Sequence, residues 1–191
     1  MRRALMLILS GCLTGCMAVS STLTGVGLIY DRHNVYIRFN DFQLVSQIRH
    51  AIYRDGLFKG PDASVDMAAF NGDVLLAGHV ATAAMRDELY ARVAQLDMDY
   101  RRLFKQVALG LPDENGVEDL WITTKIRAQI IADSSLDPHK FKVVTVGGLV
   151  YLLGDVELNQ AARVIDIART TQGVRRVVKL MQYYQLTSRS T

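Results

Sequence analysis

Cysteine is nearly absent from this chain of 191 residues. The two cysteines that it has, Cys12 and Cys16, both lie close to the N-terminus. If the chain is cleaved just before Cys16, the mature protein keeps that cysteine alone as its first residue. A single cysteine excludes an internal disulfide, and no free thiol remains to serve as a catalytic nucleophile.

A large excess of charge of one sign is also missing. The chain has 22 basic and 19 acidic residues, and two of the basic ones, Arg2 and Arg3, belong to the N-terminal leader. The rest of the chain is therefore close to neutral, which argues against a nucleic-acid partner. Hydrophobic residues make up 50% and charged residues 21%, which is the balance of an ordinary globular protein with one medium or two small domains.

A long hydrophobic run is missing as well, although the N-terminus is apolar. Arg2 and Arg3 are followed by an apolar stretch from Ala4 to Leu9 and then by small residues, with no further charge before Asp31. The apolar stretch is shorter than the roughly 20 residues that a transmembrane helix needs. A basic start, a short apolar region and small residues are typical of a signal peptide.

Two tetrapeptides in this leader match a lipobox, the site of diacylglycerol attachment. They are Leu9-Ser10-Gly11-Cys12 and Leu13-Thr14-Gly15-Cys16. Cleavage before Cys12 would leave only about eight apolar or small residues, near the lower limit for a signal peptide. We therefore predict a signal peptide over residues 1–15 and lipidation, including an N-acyl chain such as palmitate, at Cys16. An ordinary secretory leader and an uncleaved anchor are the alternatives.

Met17, not Asp, follows the proposed lipidated cysteine. In the sorting rule of enteric bacteria, an Asp there retains a lipoprotein in the inner membrane. The expected location is therefore the periplasmic face of the outer membrane, with the acyl chains as the anchor. Residues 16–40 are predicted to be a tether, with a flexible part over 17–27 and a short extended segment within 30–40.

Beyond this tether the chain repeats itself, because residues 41–49 align without a gap on residues 119–127. Apolar residues recur at helical spacing in both copies, and Asp41 and Asp119 are each expected to cap a helix. Two strand-like runs follow, joined by Asn71-Gly72 in one copy and Gly147-Gly148 in the other, and these dipeptides predict hairpins. A second amphipathic helix and a last β-rich run complete each copy.

The sequence thus predicts an α+β protein with two tandem α-β-β-α-β units. The first unit is predicted over residues 41–110 and the second over 117–185, with a short tail over 186–191. The linker between the units contains Pro112. Units of this size bury a modest core, so the two copies are expected to pack together.

This order of elements resembles the BON domain, a bacterial module associated with osmotic-shock protection and phospholipid binding. The resemblance rests on Ile126-Arg127 in the first helix, on the run from Val150 to Gly154 with Val156 beyond it, and on the segment 173–177. The first copy departs from the pattern, since it has Met98-Asp99-Tyr100-Arg101-Arg102 where the second has a Gly-Val turn.

The resemblance implies a non-enzymatic outer-membrane lipoprotein with two BON domains that supports membrane integrity. The first helix of the second unit would bind anionic phospholipids such as phosphatidylglycerol and cardiolipin. The residues implied there are Trp121, Lys125, Ala128 and Leu136. Outer-membrane assembly proteins, including the β-barrel assembly machinery, are implied as further partners.

Comparison of the two copies also identifies Trp121 as unusual, independently of the family resemblance. Its counterpart in the first copy is Gln43, and it lies off the apolar stripe of its helix. A Trp near a Lys suits the boundary of a lipid headgroup layer, although packing of Trp121 against the first unit is the alternative. Leu136 is predicted to be either an exposed apolar wedge or, like its counterpart Phe58, a core residue.

Gly78 and Gly154 end equivalent strands. A close approach of another backbone segment or a positive φ would explain why both positions carry glycine. For Arg175, Arg176 and Lys179 the alternatives are a second patch that binds anions and solvated surface. Strand alternation favours solvated surface, because it would put these charges on different faces. Lys140 and Lys142 are further candidate cations, with solvated lysine as the default.

No catalytic or cofactor site is recognisable in the sequence. The four histidines, His33, His50, His79 and His139, lie too far apart along the chain to form a metal motif on one element. We therefore expect no enzyme, metal or cofactor. Two rival functions remain: a module that binds another envelope protein, and attachment to peptidoglycan or another polymer.

Overall fold

The structure is a computed structural model that describes residues 25–111 and 116–184, with side chains from Ile37 onward. The predicted signal peptide and the candidate lipidation sites Cys12 and Cys16 lie outside the described residues. The described residues from Val35 on belong to one compact unit, and the helical residues 25–34 belong to a second one.

The described residues form two α-β-β-α-β domains, which confirms the predicted α+β class. The first domain consists of α1 (Gly25–Ile52), β1 (Ala63–Phe70), β2 (Asp73–Val80), α2 (Ala83–Ala94) and β3 (Arg102–Leu109). The second consists of α3 (Gly116–Ala132), a 3₁₀ turn (Pro138–Lys140), β4 (Phe141–Val146), β5 (Leu149–Val156), α4 (Leu158–Thr170) and β6 (Arg176–Tyr183).

Each domain has a mixed three-stranded sheet with the middle strand second in chain order. In both sheets the first two strands are antiparallel and the third strand is parallel to the middle one. The two hairpin turns follow the prediction closely. Asn71 and Gly72 have φ of 50° and 79°, and Gly147 and Gly148 have φ of 55° and 71°. Two successive positive φ values are what a type I′ turn requires.

The first helix begins much earlier than the sequence predicted. We expected an extended segment within residues 30–40 and a helix that begins at Asp41, whereas α1 runs from Gly25. No glycine or proline interrupts the chain between Leu28 and Ile52, so nothing in this stretch breaks a helix. In the second copy, the sequence before α3 contains Pro112.

Neither predicted N-cap residue caps a helix. Asp41 lies in the interior of α1, and Asp119 lies in the first turn of α3. Both carboxylates instead accept hydrogen bonds from a hairpin turn: Asp41 from the backbone N–H groups of Asn71 and Gly72, and Asp119 from those of Gly147 and Gly148. The acidic residue at the start of each repeat therefore ties its helix to the sheet.

Three apolar clusters hold the fold together. One lies between helices and sheet in each domain, and it contains the predicted stripes Leu44–Ile48–Ile52 and Ile122–Ile126–Ile130. A third cluster contains side chains from both sheets, among them Leu75 and Ala77 of β2 and Tyr151 and Leu153 of β5. The two sheets thus pack face to face, with the helices on the outside, as expected for two small domains that share a core.

Candidate functional site

The helix α3 is apolar on two opposite sides. Its inner side carries Ile122, Ile126 and Ile130, which are buried in the domain core. Its outer side carries a second stripe at spacings of four and three residues, in which every side chain is exposed: Val117, Trp121, Thr124, Ala128 and Ile131. Leu120 lies beside this stripe and is exposed too. We call these six residues the outer stripe of α3.

Contacts on the inner side hold α3 in its orientation. The carboxylate of Asp119 accepts hydrogen bonds of 2.6 and 2.8 Å from the turn between β4 and β5. One turn later, the hydroxyl of Thr123 lies 2.7 Å from that of Thr145 on β4. Gln129 donates to the hydroxyl of Thr171 beyond α4. These polar contacts and the isoleucine stripe leave the outer stripe facing away from the domain core.

Trp121 is 45% exposed, and the Nζ atom of Lys125 lies 4.3 Å from the centre of its ring. At about 3.6 residues per turn, Lys125 lies on one edge of the outer stripe and Arg127 on the other. Both side chains are exposed. Trp121 is not part of the apolar cluster that the two sheets share, so that contact between the domains does not depend on it. Packing of its covered part against the first domain stays the alternative.

The corresponding side of α1 has a different character. The repeat places Gln43, Ser46 and His50 at the positions of Trp121, Thr124 and Ala128, and all three are exposed. Phe39 and Phe42, at the positions of Val117 and Leu120, are exposed and apolar, and Tyr53, at the position of Ile131, is half-buried. The two helices thus share the inner stripe but differ at the centre of the outer side, where Gln43 and His50 are polar and Trp121 and Ala128 are apolar. The fold therefore does not require an apolar centre on that side.

Leu136 does not belong to the exposed surface. It is 7% exposed and packs in the core of the second domain, as its counterpart Phe58 packs in the first. The prediction of an exposed wedge at Leu136 is therefore wrong. The short turn after α3 folds this side chain under the helix, where burial of an apolar group is favourable. Ala128, by contrast, lies on the exposed side.

The two candidate glycines lie inside strands, at places where another strand comes very close. A Cβ atom on Gly78 would be 2.0 Å from the carbonyl oxygen of Ser64, and φ there is +142°. A Cβ atom on Gly154 would be 2.6 Å from the carbonyl oxygen of Lys140. Each strand continues for two residues beyond its glycine.

The basic residues of the second domain do not form one patch. Arg175 donates to the carbonyl oxygen of Gly147. Arg176 and Lys179 are three positions apart on β6, so they lie on opposite faces of the sheet. Lys140 donates to the hydroxyl of Tyr184 over 2.8 Å, and that hydrogen bond raises the pKa of the lysine. Lys142 is half-buried on β4.

A polar junction between the domains was not among the sequence-based predictions. The carboxylate of Asp155, at the end of β5, accepts hydrogen bonds from Arg101 and from the side-chain amide of Asn71. Arg101 and Arg102 also donate to Asp73, which is fully buried. Burial alone would raise the pKa of Asp73, but the hydrogen bonds from Arg102 and Arg101 outweigh it and lower that pKa.

A signal for this junction was present in the repeat. Arg101-Arg102 aligns with Arg175-Arg176, but the position of Asp73 is occupied by Leu149 in the second copy. A charged residue that only one copy keeps beside a hairpin indicates a contact that only that copy makes. The departure of the first copy from the pattern before β3 therefore has a structural role.

Among residues 25–111 and 116–184, no three His, Cys, Asp or Glu side chains are arranged so that they could hold a metal ion. Within the same part of the chain, no helix has the length and apolar character that a membrane span needs. The exposed apolar side chains of the outer stripe make this side of α3 a candidate site.

Comparison with known proteins gives matches over most of the chain. The model of the BON domain matches residues 40–97 and 118–185. The 21 kDa hemolysin of Actinobacillus pleuropneumoniae is 27% identical over 159 residues, which are 81% of this chain and 80% of that protein. The outer membrane lipoprotein DolP of Haemophilus influenzae is 26% identical over 176 residues, which are 90% of each chain.

Among solved structures, the C-terminal domain of CdsD, a structural protein of the type III secretion system of Chlamydia trachomatis, matches with a TM-score of 0.31. The two chains are 13% identical, and the match covers 74% of this chain and 98% of that one. A score this low does not support a shared overall arrangement.

Proposed function

This chain belongs to the BON-domain family and carries two copies of the domain, and on that premise we propose that it is a lipid-anchored protein of the outer membrane that binds anionic phospholipid through the outer stripe of α3. It acts at the periplasmic face without catalysing a reaction, and it supports the integrity of the membrane. Phosphatidylglycerol and cardiolipin are the lipids that fit this role.

The observation that carries the proposal is the difference between α3 and α1. At the centre of the outer side α1 carries Gln43 and His50, whereas α3 carries Trp121 and Ala128 at the same positions, and all four side chains are exposed. An exposed apolar stripe on a helix is costly in water unless something covers it. The surrounding fold does not need it, so its value lies in a contact outside the chain.

The chemistry of the stripe fits a bilayer surface. A helix that lies in the interface buries its apolar side roughly 5–10 Å deep, near the boundary between headgroups and acyl chains. Trp121 has an apolar ring with a polar N–H group, which suits that boundary. Lys125 and Arg127, on the two edges of the stripe, are placed to meet phosphate groups, and each such cation contributes about 1 kcal/mol near an anionic surface.

The proposed anchor supports the same location. DolP of Haemophilus influenzae, which matches over 90% of this chain, is an outer membrane lipoprotein by name, and the leader of this chain contains the lipobox that ends at Cys16. Acyl chains at Cys16 would keep the protein at the membrane. The effective concentration of lipid around α3 would then be high, although the contact through α3 is weaker than the anchor.

Vesicle binding tests the contact directly, because Trp121 is the only tryptophan of the chain. The chain from Met17 on, which lacks the anchor but keeps every described residue, is titrated with phosphatidylglycerol vesicles and with neutral phosphatidylcholine vesicles. We expect a blue shift of the fluorescence and sedimentation with the anionic vesicles only.

The matched variants are Trp121→Ala and Gln43→Ala, at equivalent positions of the two helices. We expect sedimentation with anionic vesicles to be lost in the first and unchanged in the second. Binding that survives Trp121→Ala in a folded protein would overturn the assignment.

Labelling with palmitate tests the anchor separately. We expect incorporation into the full chain and into Cys12→Ser, but none into Cys16→Ser. Label in Cys16→Ser would move the anchor to Cys12 without affecting the contact through α3.

A protein-binding module is the second candidate, and the exposed side chains of Phe39 and Phe42 on α1 favour it, because exposed aromatic residues are frequent at protein interfaces. An outer-membrane assembly protein is the partner that fits this location. This function predicts a stable crosslinked complex that Phe39→Ser and Phe42→Ser abolish, and no response of Trp121 to phosphatidylglycerol vesicles.

A further inference from the structure

The two cations beside the outer stripe of α3 have no carboxylate partner in the part of the chain that the structure describes. Lys125 and Arg127 are both exposed, and neither forms an ion pair with a described Asp or Glu. The residues three and four positions away from each of them on α3 are uncharged. By contrast, Arg163 of α4 binds Asp133 over 2.7 Å. At an anionic bilayer, each unpaired cation of α3 would gain a phosphate as its partner.

Lys125 and Arg127 lie on opposite edges of the outer stripe. Positions two apart on a helix are about 200° apart around its axis, and the apolar centre of the stripe, Trp121 and Ala128, lies between them on the outer side. The two charges are therefore separated by about the full width of the helix, which is about 10–12 Å with its side chains.

Contacts within the second domain prevent α3 from rotating about its own axis. On the inner side, Asp119, Thr123 and Gln129 are hydrogen-bonded to other elements of this domain. The ammonium group of Lys125 is also held beside the ring of Trp121, 4.3 Å from its centre. The two cations therefore stay on opposite edges when the stripe meets a surface.

We propose that α3 binds two anionic lipids at once, one phosphodiester at Lys125 and a second at Arg127, with the inserted stripe between them. This inference rests on the proposed phospholipid binding through α3 and names what that site recognises. The site responds to the density of anionic headgroups and not to the headgroup of one lipid species. Phosphatidylglycerol and cardiolipin are therefore equivalent ligands at equal charge.

A single cardiolipin is too short to serve both cations. Its two phosphates are joined through one glycerol, a path of six covalent bonds of about 1.5 Å each, so they are at most about 9 Å apart. The helix is about 10–12 Å wide, and the side chains of Trp121 and Ala128 occupy the space below it. One cardiolipin therefore reaches one edge of the stripe, as one phosphatidylglycerol does.

The first copy of the domain has only one of these two cations. Arg49 lies at the position of Arg127, but Gln47 lies at the position of Lys125. The pair of cations therefore occurs in the copy that also has Trp121 at the centre of the stripe. Since α1 folds without the pair, the pair is not a requirement of the fold.

Vesicles of equal charge test the lipid requirement. The chain from Met17 on is titrated with phosphatidylcholine vesicles that contain either phosphatidylglycerol or half as many molecules of cardiolipin, and the fluorescence of Trp121 reports binding. We expect the two partition coefficients to agree within about twofold. A larger preference for cardiolipin at equal charge would overturn the inference.

The variants Lys125→Gln and Arg127→Gln, alone and combined, test whether each cation has its own lipid. Circular dichroism and thermal unfolding establish that they are folded. Independent contacts give losses that multiply, so we expect about fivefold weaker partitioning in each single variant and about 25-fold in the double variant. Arg49→Gln is the matched control on α1 and should bind like the parent.

Two results of this series would overturn the inference. One is a double variant that binds like a single variant, in either kind of vesicle, because both cations would then share one headgroup. The other is unchanged binding in both single variants.

Trp121→Ala separates this inference from the proposed function. If binding is lost in Trp121→Ala but cardiolipin is preferred or the losses do not multiply, the requirement for two lipids is wrong and binding through α3 stands. Unchanged binding in Trp121→Ala would overturn the proposed function, and this inference with it.

Discussion

The guanidinium group of Arg101 donates two hydrogen bonds to the carboxylate of Asp155, and this pair links the first domain to the second. Arg101 also donates to the buried Asp73, so one side chain connects the interior of one sheet to the end of the other. The raised pKa of Arg101 reflects mainly its hydrogen bond with Asp73. The relative orientation of the domains therefore depends on charge as well as on apolar packing.

The first prediction concerns the pH dependence of this junction. The pKa of Asp73 is lowered in the folded state, so its ionised form contributes stability that is fully present above the ordinary value of 3.8 and is lost as the pH falls through the folded value. In Asp73→Asn we expect the free energy of unfolding to fall by about 2 to 3 kcal/mol at pH 7. This loss is smaller than for a fully buried ion pair, because the side chains of both arginines are about one-third exposed.

Urea unfolding between pH 2 and pH 7 measures this effect. The gap in the free energy of unfolding between the parent and Asp73→Asn should narrow toward low pH. A constant gap across this range would show that the charge of Asp73 is not what stabilises the junction.

The second prediction concerns the two aspartates that hold the hairpin turns. Each carboxylate accepts two backbone hydrogen bonds, and a hydrogen bond to a charged group contributes about 1.5 to 3 kcal/mol. We expect Asp119→Ala and Asp41→Ala to destabilise the protein similarly, whereas only Asp119→Ala should weaken vesicle binding, since only α3 carries the outer stripe. Equal loss of binding in both variants would argue against a site confined to α3.

The third prediction concerns Gly78. A Cβ atom there would collide with the carbonyl oxygen of Ser64, and the positive φ adds strain. We expect Gly78→Ala to lower the free energy of unfolding by about 3 kcal/mol or more. Gly56→Ala is the control, because a Cβ atom on Gly56 would have no neighbour within 4 Å. Thermal unfolding of both variants measures the difference, and a small effect at Gly78 would mean that the strands can move apart cheaply.

The fourth prediction concerns the cations beside the stripe. Lys125→Gln and Arg127→Gln should each weaken binding to phosphatidylglycerol vesicles about fivefold, since each cation contributes about 1 kcal/mol at an anionic surface. Arg49→Gln, at the position of Arg127 in the first domain, should have no effect. The losses should shrink as salt is added. Losses that persist in high salt would show that these side chains act through packing instead.

The predictions that succeeded from the sequence rest on short-range patterns. The helical stripe Ile122–Ile126–Ile130, the Asn71-Gly72 turn and the α-β-β-α-β order each follow from side-chain periodicity or backbone preference within a few residues. The exposure of Trp121 was also accessible, because comparison of the two copies separates what the fold needs from what only one copy has.

The failures involve contacts between distant parts of the chain. Asp41 and Asp119 look like helix caps, since an acidic residue before an apolar stripe fits that role, but their partners are turns about 30 residues away. Leu136 looks equally suited to the surface and the core, and only the path of the turn after α3 decides between them.

The sequence by itself determined the duplicated domain, its hairpins and the unusual Trp121, because these depend on local periodicity and on comparison between the copies. Only the tertiary structure decided that Asp155 meets Arg101, that the two sheets pack face to face and that Leu136 lies in the core. The physical reason is that the burial of an apolar face can be satisfied by more than one partner, and the choice depends on the packing of the whole chain.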